Sequence, residues 1–175
     1  MTTYIALLKG INVGGNRRLP MADLKEALTQ AGFESVRTIL ASGNVVLDAP
    51  RTEPAALEAR LEAETTERLG VTTDYMVRDA AAWSALIAAN PYPDVAASDP
   101  GRLLVVVMKT EPDVTKVRAH LDGFDGPERV SIVGREIFIH FPDGMGSSRL
   151  SIPRFGNGTA RNWNTVIRLA ALVDG

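Results

Sequence analysis

The apolar residues near the start of the chain switch from a strand pattern to a helical one. The run TYIALL at 3–8 is short and apolar, as in a buried strand. Met21, Leu24 and Leu28 then recur at helical spacing, and Gly32 follows where a helix would stop. These patterns predict a strand and then a helix, separated by the glycine-rich sequence KGINVGGNRRLP.

The next segments extend this alternation. The pattern predicts strands at 35–40, 44–48 and 73–78, and a helix that starts after Thr52 as its N-cap. Ala41-Ser42-Gly43 separates the first two of these strands, which indicates a hairpin. The order is therefore βαββαβ, which is that of the split βαβ or ferredoxin-like unit.

The second half of the chain repeats most of this order. A helix capped by Asp79 precedes a proline-rich stretch, and the predicted elements after it are strands at 103–108, 129–133 and 136–141, a helix through Val114, Val117 and Leu121, and a C-terminal helix through Trp163, Val166, Ile167 and Ala170. We therefore predict an α+β fold of two similar ferredoxin-like lobes. The N-terminal βαββαβ lobe with its following helix spans 1–90, 91–101 is a linker, and 102–175 is a βαββα lobe that lacks the last strand.

A long connection in the second lobe departs from the usual loop length. Residues 142–162 contain no predicted strand, whereas most connections have about 4–6 residues. Such a loop is functional, disordered or contains a short helix, for which 145–150 is the candidate.

The composition is that of a soluble globular protein. Apolar residues make up 45% of the 175 and charged residues 23%. There is no cysteine, which excludes disulfides and thiolate metal sites. No apolar run approaches the roughly 20 residues of a membrane span, and the apolar part of the N-terminus is too short for a signal peptide. We expect a cytoplasmic protein without membrane association, metal or cofactor.

Positive charge is concentrated in two stretches. Residues 1–22 carry a charge of +3 and residues 144–173 carry +4, and neither stretch contains an acidic residue. The net charge is −2, so the remaining residues carry −9. This distribution suggests two anion-binding segments, although charge clusters of this kind also occur on faces that only contact solvent.

The first basic stretch is not a nucleotide-binding motif. Gly10 and Gly15 have the spacing of a P-loop, but Asn16 and Arg17 stand where lysine and a hydroxyl residue are needed. What remains is a pair of cations before a helix start, where unpaired N–H groups favour an anion.

A similar arrangement precedes the last helix. Arg161 comes directly before Asn162, a good N-cap, and Trp163 follows on the apolar face of the helix. Packing is therefore the favoured role of Trp163, with support of a planar ligand as the alternative. Arg161 and Asn164 are the candidates for ligand contact.

No catalytic constellation is apparent. His140 alternates with apolar residues in its strand, which favours a structural imidazole over a catalytic one, and His120 is predicted to be exposed. The glutamates of the second helix are typical of a solvated face. An enzyme that uses arginine to polarise a phosphoryl or acyl group would also need a general base, which the sequence does not reveal.

Four motifs together resemble one known family. KGINVGGNRRLPMADLKEALTQAGF, TILASGNVVLD, IHFPDGMGSSRL and TARNWNTVIRLAAL are similar, in this order, to the DUF1697 family of bacterial proteins of unknown function. The resemblance implies an α+β fold of two similar lobes and no established activity. The recurrent family positions are Gly10, Asn12, Gly14, Gly15, Ser42, Gly43, Asn44, Arg161, Asn162, Trp163 and Asn164. Lys9 stands where the family more usually has arginine, so a cationic role is retained but not a bidentate one.

These observations favour a binding protein for an anionic ligand, either a phosphorylated small molecule or a nucleic acid. The candidate ligand-binding residues are Lys9, Asn12, Gly14, Gly15, Arg17, Asn44, Arg149, Arg161 and Asn164. A small ligand is favoured over RNA because only 6% of the residues are aromatic. An enzyme acting on a phosphorylated or acyl small molecule and a protein-interaction module are the alternatives. We also hypothesise that 9–18 and 144–164 share one pocket.

Overall fold

A computed structural model describes residues 1–15 and 17–175 and divides them into two compact units. The first unit comprises 1–85 with 169–175, and the second comprises 86–168. The last seven residues thus group with the first unit. The sequence-based division into a lobe at 1–90, a linker at 91–101 and a lobe at 102–175 stays a prediction.

The described residues form two four-stranded antiparallel sheets and six α-helices. The first part of the chain contains β1 (Thr2–Leu8), α1 (Met21–Gln30), β2 (Glu34–Ile39), β3 (Asn44–Ala49), α2 (Pro54–Leu69), β4 (Tyr75–Asp79) and α3 (Ala80–Ala88). The remainder contains α4 (Pro93–Ser98), β5 (Leu103–Met108), α5 (Val114–Asp122), β6 (Arg129–Val133), β7 (Glu136–His140), β8 (Gly158–Asn162) and α6 (Trp163–Asp174). The stretch predicted as a linker therefore contains α4, followed by a 3₁₀ turn at Pro100–Arg102. None of these helices is long and apolar enough to cross a membrane.

The two sheets have the same topology. The strand order is β2-β3-β1-β4 in the first unit and β6-β7-β5-β8 in the second. The registers also correspond, since Ile5 lies opposite Arg78 across β1 and β4, and Val105 lies opposite Arg161 across β5 and β8. The chain therefore contains a structural duplication in which Arg78 and Arg161 occupy equivalent positions.

The first unit has its core between one sheet face and two helices. Tyr4, Ala6 and Leu8 of β1 alternate toward this core, where they pack with Leu24 and Leu28 of α1 and with residues of α2. The core residues alternate along the strand because successive side chains of a strand point to opposite faces, and they are four residues apart in the helix because a helical turn has about 3.6 residues. The predicted cap of α2 was wrong by one residue, because Glu53 rather than Thr52 is its N-cap.

The second unit contains β8, which the sequence analysis did not predict. GTARN lacks apolar alternation because the two residues of β8 that are buried are Thr159 and Arg161. The prediction of a βαββα lobe without a last strand was therefore wrong. The predicted cap of the last helix is confirmed, since the Thr165 N–H donates to Oδ1 of Asn162 at 3.1 Å.

The connection from β7 to β8 replaces the helix α2 of the first unit. It contains two 3₁₀ turns, Met145–Ser147 and Ile152–Phe155, and its Leu150 and Phe155 are buried in the core of the second unit. Phe155 also packs edge-on against His120 of α5, with 5.4 Å between the ring centroids. His120 is therefore half-buried, and the prediction that it is exposed was wrong. Much of this long loop thus has a packing role.

Candidate functional site

The basic loop, residues 9–20, is longer than the duplicated topology requires. It joins β1 to α1 over 12 residues, whereas the equivalent strand and helix of the second unit are joined by the five residues 109–113. Lys9 and Lys109 start the two connections. The Lys9 N–H donates to the backbone carbonyl oxygen of Asp74 at 3.1 Å, and the Lys109 N–H donates to that of Asn157 at 2.9 Å. The two connections therefore start alike and then differ by the insertion that carries Arg17 and Arg18.

Asn12 holds the basic loop in one shape. Its Nδ2 donates to the carbonyl oxygens of Leu19 at 2.8 Å and Ala41 at 2.7 Å, and its Oδ1 accepts from the Leu19 N–H at 2.7 Å. Its own N–H donates to the carbonyl oxygen of Arg17 at 3.0 Å. The amide of Asn12, predicted to contact a ligand, is thus used to position the loop.

Several residues of the basic loop have left-handed backbone conformations. The φ angles are +54° at Asn12, +58° at Gly14, +80° at Gly15 and +49° at Arg17. For Arg17 this conformation is uncommon and costs on the order of 1 kcal/mol, whereas asparagine and glycine adopt it more readily. Asn16, whose identity excludes a P-loop, lies outside the described residues.

One cavity lies between the basic loop and the start of α1. It has a volume of about 450 Å³ and is lined by Asn12, Gly15, Arg18, Leu19, Pro20, Met21 and Ala41. Pro20, the N-cap of α1, provides no side-chain hydrogen bond to the first turn. We call this space the loop cavity. Among the described residues, its lining combines one cation and the Asn12 amide with apolar side chains and contains no carboxylate, imidazole or nucleophile.

Arg17 lines a different cavity. This space of about 470 Å³ is bounded by α2 and the segment before β4, and its carboxylates are Glu62, Glu67 and Asp74. Neighbouring cations of the loop therefore have different surroundings, with acidic residues around Arg17 and none in the lining around Arg18.

Asn44 is buried in the hairpin between β2 and β3. Its side chain is fully inaccessible and donates to the carbonyl oxygen of Ile39 at 3.0 Å and to the Ser42 hydroxyl at 2.9 Å. The adjacent Gly43 has φ +90°, and a Cβ there would lie 2.7 Å from Cδ1 of Ile11. The signature ASGN therefore closes the hairpin against the base of the basic loop.

The remaining candidates belong to the second unit. Arg161 is only 6% exposed, and its Nη1 donates to Oγ1 of Thr159 at 2.7 Å and to the carbonyl oxygen of Ala160 at 2.9 Å. Burial lowers the pKa of Arg161 to about 10. Arg149 and Asn164 are exposed, and Trp163 packs on Phe138 with 6.5 Å between ring centroids. The packing role predicted for Trp163 is confirmed.

The basic loop and the 144–164 stretch fall into different units. Their sharing of one pocket stays a prediction. Within the described residues, no three His, Asp or Glu side chains are grouped so that they could hold a metal ion.

Carboxylates of α2 act on β4, a role that the sequence analysis missed. Oε1 of Glu58 accepts from the Val77 N–H at 3.0 Å, and Oε1 of Glu62 accepts from the Tyr75 N–H at 3.1 Å. The expectation that these glutamates form only a solvated face was wrong, since Glu58 is 4% exposed. The two glutamates are four residues apart in the helix, and the two N–H groups that they bond are two residues apart in the strand. This match of helix and strand spacing is the signal that could have indicated the role.

These observations define a mixed α and β protein in which one topology occurs twice. The chain belongs to the DUF1697 family, which is described as a protein of unknown function and whose model matches residues 1–138. The conserved bacterial protein SP0830 from Streptococcus pneumoniae has a similar solved structure, with a TM-score of 0.77 and 22% identity over 98% of each chain. That similarity concerns the fold. No curated protein matches the chain.

Proposed function

We propose that the chain binds a small anionic ligand, such as a phosphorylated metabolite, in the loop cavity. The observation that carries the proposal is the insertion in the basic loop. The same topology is built in the second unit with a five-residue connection, so the topology alone does not require the longer loop, although its Ile11 and Leu19 are buried in the core. Segments that exceed the needs of the scaffold, and that are held in costly backbone conformations, are typical of functional sites.

Arg18 is the principal charge of this site. It lines the cavity beside the start of α1, whose first N–H groups receive no side-chain cap. A phosphate or carboxylate in the cavity would bond the guanidinium and reduce the mismatch between Arg18 and the positive end of the helix. In this proposal Asn12 positions the loop, and Gly14 and Gly15 provide exposed backbone.

A small ligand is favoured over a nucleic acid. The large exposed hydrophobic residues in the described part of the chain are Met1, Val13, Leu40, Val114, Met145 and Ile167, and none of them is aromatic. Proteins that bind single strands use exposed aromatic rings as stacking platforms. The volume of about 450 Å³ lies within the usual range for small-molecule sites.

Binding without turnover follows from the lining of the cavity. General acid–base or covalent catalysis needs a titratable or nucleophilic side chain within hydrogen-bond reach, and the described residues that line the loop cavity offer only Arg18 and the Asn12 amide, which is already bonded. We further propose that both units are ferredoxin-like and that the protein is cytoplasmic.

The test is a titration of the full chain with phenyl phosphate, in which binding is measured by NMR from the backbone amide chemical shifts. We expect shifts at Gly15, Arg18 and Met21, and at least about a tenfold loss of affinity in Arg18→Ala. Arg17→Ala is the matched control, because it removes the same charge from the neighbouring residue, which lines the other cavity. Equal losses in the two variants would argue against the loop cavity.

A second titration addresses the nucleic-acid form of the proposal. We expect no binding of a single-stranded oligonucleotide at about 50 mM salt. Tight binding there that weakens with salt, together with no response to phenyl phosphate, would replace the small ligand by a nucleic acid.

A further inference from the structure

The outer edges of β4 and β8 occupy equivalent positions but differ in how they are bonded. In the first unit, the outward N–H groups of Tyr75 and Val77 donate to Glu62 and Glu58 of α2. The outward carbonyl oxygen of Val77 accepts from Nη1 of Arg78 at 2.9 Å. The edge of β4 is therefore covered by side chains of its own unit.

The register identifies the corresponding groups of β8. Leu8 lies opposite Tyr75 and Ala6 opposite Val77, just as Met108 lies opposite Gly158 and Val106 opposite Ala160. Because alternate residues of a strand point their N–H groups to the same side, the amides of Gly158 and Ala160 point away from β5. The hydrogen bond from Arg78 to the carbonyl oxygen of Val77 has an equivalent in the second unit, where Nη1 of Arg161 donates to the carbonyl oxygen of Ala160.

The acidic partners are not repeated. The connection that replaces α2 contains no acidic residue after Asp143, and among residues 1–15 and 17–175 no acceptor bonds the outward amides of Gly158 and Ala160. Both residues are partly exposed. An edge strand with open amides is a template for the addition of another strand.

The surrounding charge indicates what kind of strand fits. Arg149 and Arg154 of the same connection are exposed, and no acidic residue occurs from 144 to 173. The other edge of this sheet, β6, starts with Arg129 directly after the acidic Glu128, so both signs of charge are present there. Charge complementarity therefore favours an acidic segment at β8.

We propose that β8 is a docking edge for an extended acidic segment of another protein, which adds to the second sheet as a fifth strand. The backbone carbonyls of the segment accept from Gly158 and Ala160, as Glu62 and Glu58 do in the first unit, and its carboxylates face Arg149 and Arg154. This inference rests on the second unit and is independent of the loop cavity.

Amide hydrogen exchange of the full chain is the first test. We expect the amides of Gly158 and Ala160 to exchange much faster than those of Tyr75 and Val77. Equal protection in the free protein would overturn the proposal, because it would mean that the edge is already covered, including by a second copy of the chain.

The second test uses three blocked peptides. A peptide of alternating glutamate and valine should shift and protect the amides of Gly158 and Ala160, and the lysine and valine peptide should bind at least about fivefold more weakly. A glutamate and proline peptide, which has fewer backbone donors and resists the strand conformation, should not bind. If it bound as well as the first, or if shifts appeared at Val130 and Ile132 of β6, strand addition at β8 would be wrong.

Variants separate the backbone and charge contributions. Ala160→Pro removes one outward donor at an edge position that tolerates proline and should abolish protection by the glutamate and valine peptide. Arg149→Glu with Arg154→Glu should lower its affinity at least about tenfold, whereas Arg118→Glu on α5 should not. Unchanged affinity in the double variant would overturn the acidic partner even if Ala160→Pro did not fold.

Discussion

Single residues of the family signatures are fixed by backbone geometry and hydrogen bonding. Asn12 and Asn44 bond main-chain groups of the basic loop and the hairpin, and Gly43 is required by both its φ and the space around it. Residues that a sequence comparison singles out as functional are thus, in these cases, the residues that build the surroundings of the loop cavity.

Gly43→Ala should lower the free energy of unfolding by about 2 kcal/mol or more. The new Cβ would lie 2.7 Å from Cδ1 of Ile11 and 2.9 Å from Cβ of Leu8, in a backbone conformation that alanine adopts with strain. Gly14→Ala is the matched control, because its φ is +58° and no atom lies within 4 Å. It should cost only about 1 kcal/mol. Urea denaturation measures both, and equal costs would contradict the steric explanation.

Tyr75 should make stability depend on pH in the alkaline range. Burial raises the pKa of Tyr75, whose hydroxyl bonds Thr65 at 2.7 Å. The folded chain therefore keeps this proton at pH values where the unfolded chain has released it. Stability should fall as pH rises above about 10, the ordinary pKa of tyrosine.

The measurement for Tyr75 is the urea midpoint at pH 9 and at pH 11. In Tyr75→Phe the decrease between the two pH values should be smaller than in the unaltered chain. An identical decrease would mean that other groups cause it.

At the level of elements, helix α2 both packs on the first sheet and bonds its edge. Leu57 and Leu61 enter the core, while Glu58 and Glu62, one position further along, reach the N–H groups of β4. The second unit replaces this helix by a connection that supplies Leu150 and Phe155 to the core but no carboxylate to β8. The two units thus share a topology and differ in their edges.

Glu58→Ala should destabilise the first unit by about 1–3 kcal/mol, because the buried N–H of Val77 would lose its acceptor. The amide of Val77 should then exchange faster with solvent. Glu67→Ala on the exposed face of the same helix should change stability by less than about 0.5 kcal/mol. If the amide hydrogen of Val77 still exchanged slowly in Glu58→Ala, the Glu58 carboxylate would not be the group that protects it from solvent.

At the level of the whole molecule, each of the two units contains one of the positively charged stretches. The basic loop is an insertion in the first unit, and the positive stretch from 144 onward belongs mainly to the second. This separation is why the ligand proposal and the docking proposal concern different units and can fail independently.

Ligand binding should raise the thermal stability of the chain. At a phenyl phosphate concentration of about 100 times Kd, the stabilisation by mass action is about 2.7 kcal/mol. Arg18→Ala should lose this stabilisation at the same concentration, and Arg17→Ala should keep it. Differential scanning calorimetry measures the shift in Tm, and a shift that is equal in all three proteins would indicate a general salt effect.

Particular residues explain how far sequence reasoning reached. Trp163 and Asn162 were assigned correctly because local periodicity and cap chemistry determine both roles. β8 was missed because its buried positions are Thr159 and Arg161, which carry no apolar signal. The roles of Asn12 and Glu58 were missed because their partners, Ala41 and Val77, are distant in sequence.

The sequence by itself determined the order of most elements, the basic loop and the family, since these depend on local periodicity, composition and motifs. Only the tertiary structure decided the equivalence of Arg78 with Arg161, the separation of Arg17 from Arg18 into two cavities, and the contrast between the bonded outward amides of β4 and the open outward amides of β8. The physical reason is that strand register and the reach of side chains depend on contacts between segments far apart in the chain, which no local pattern records.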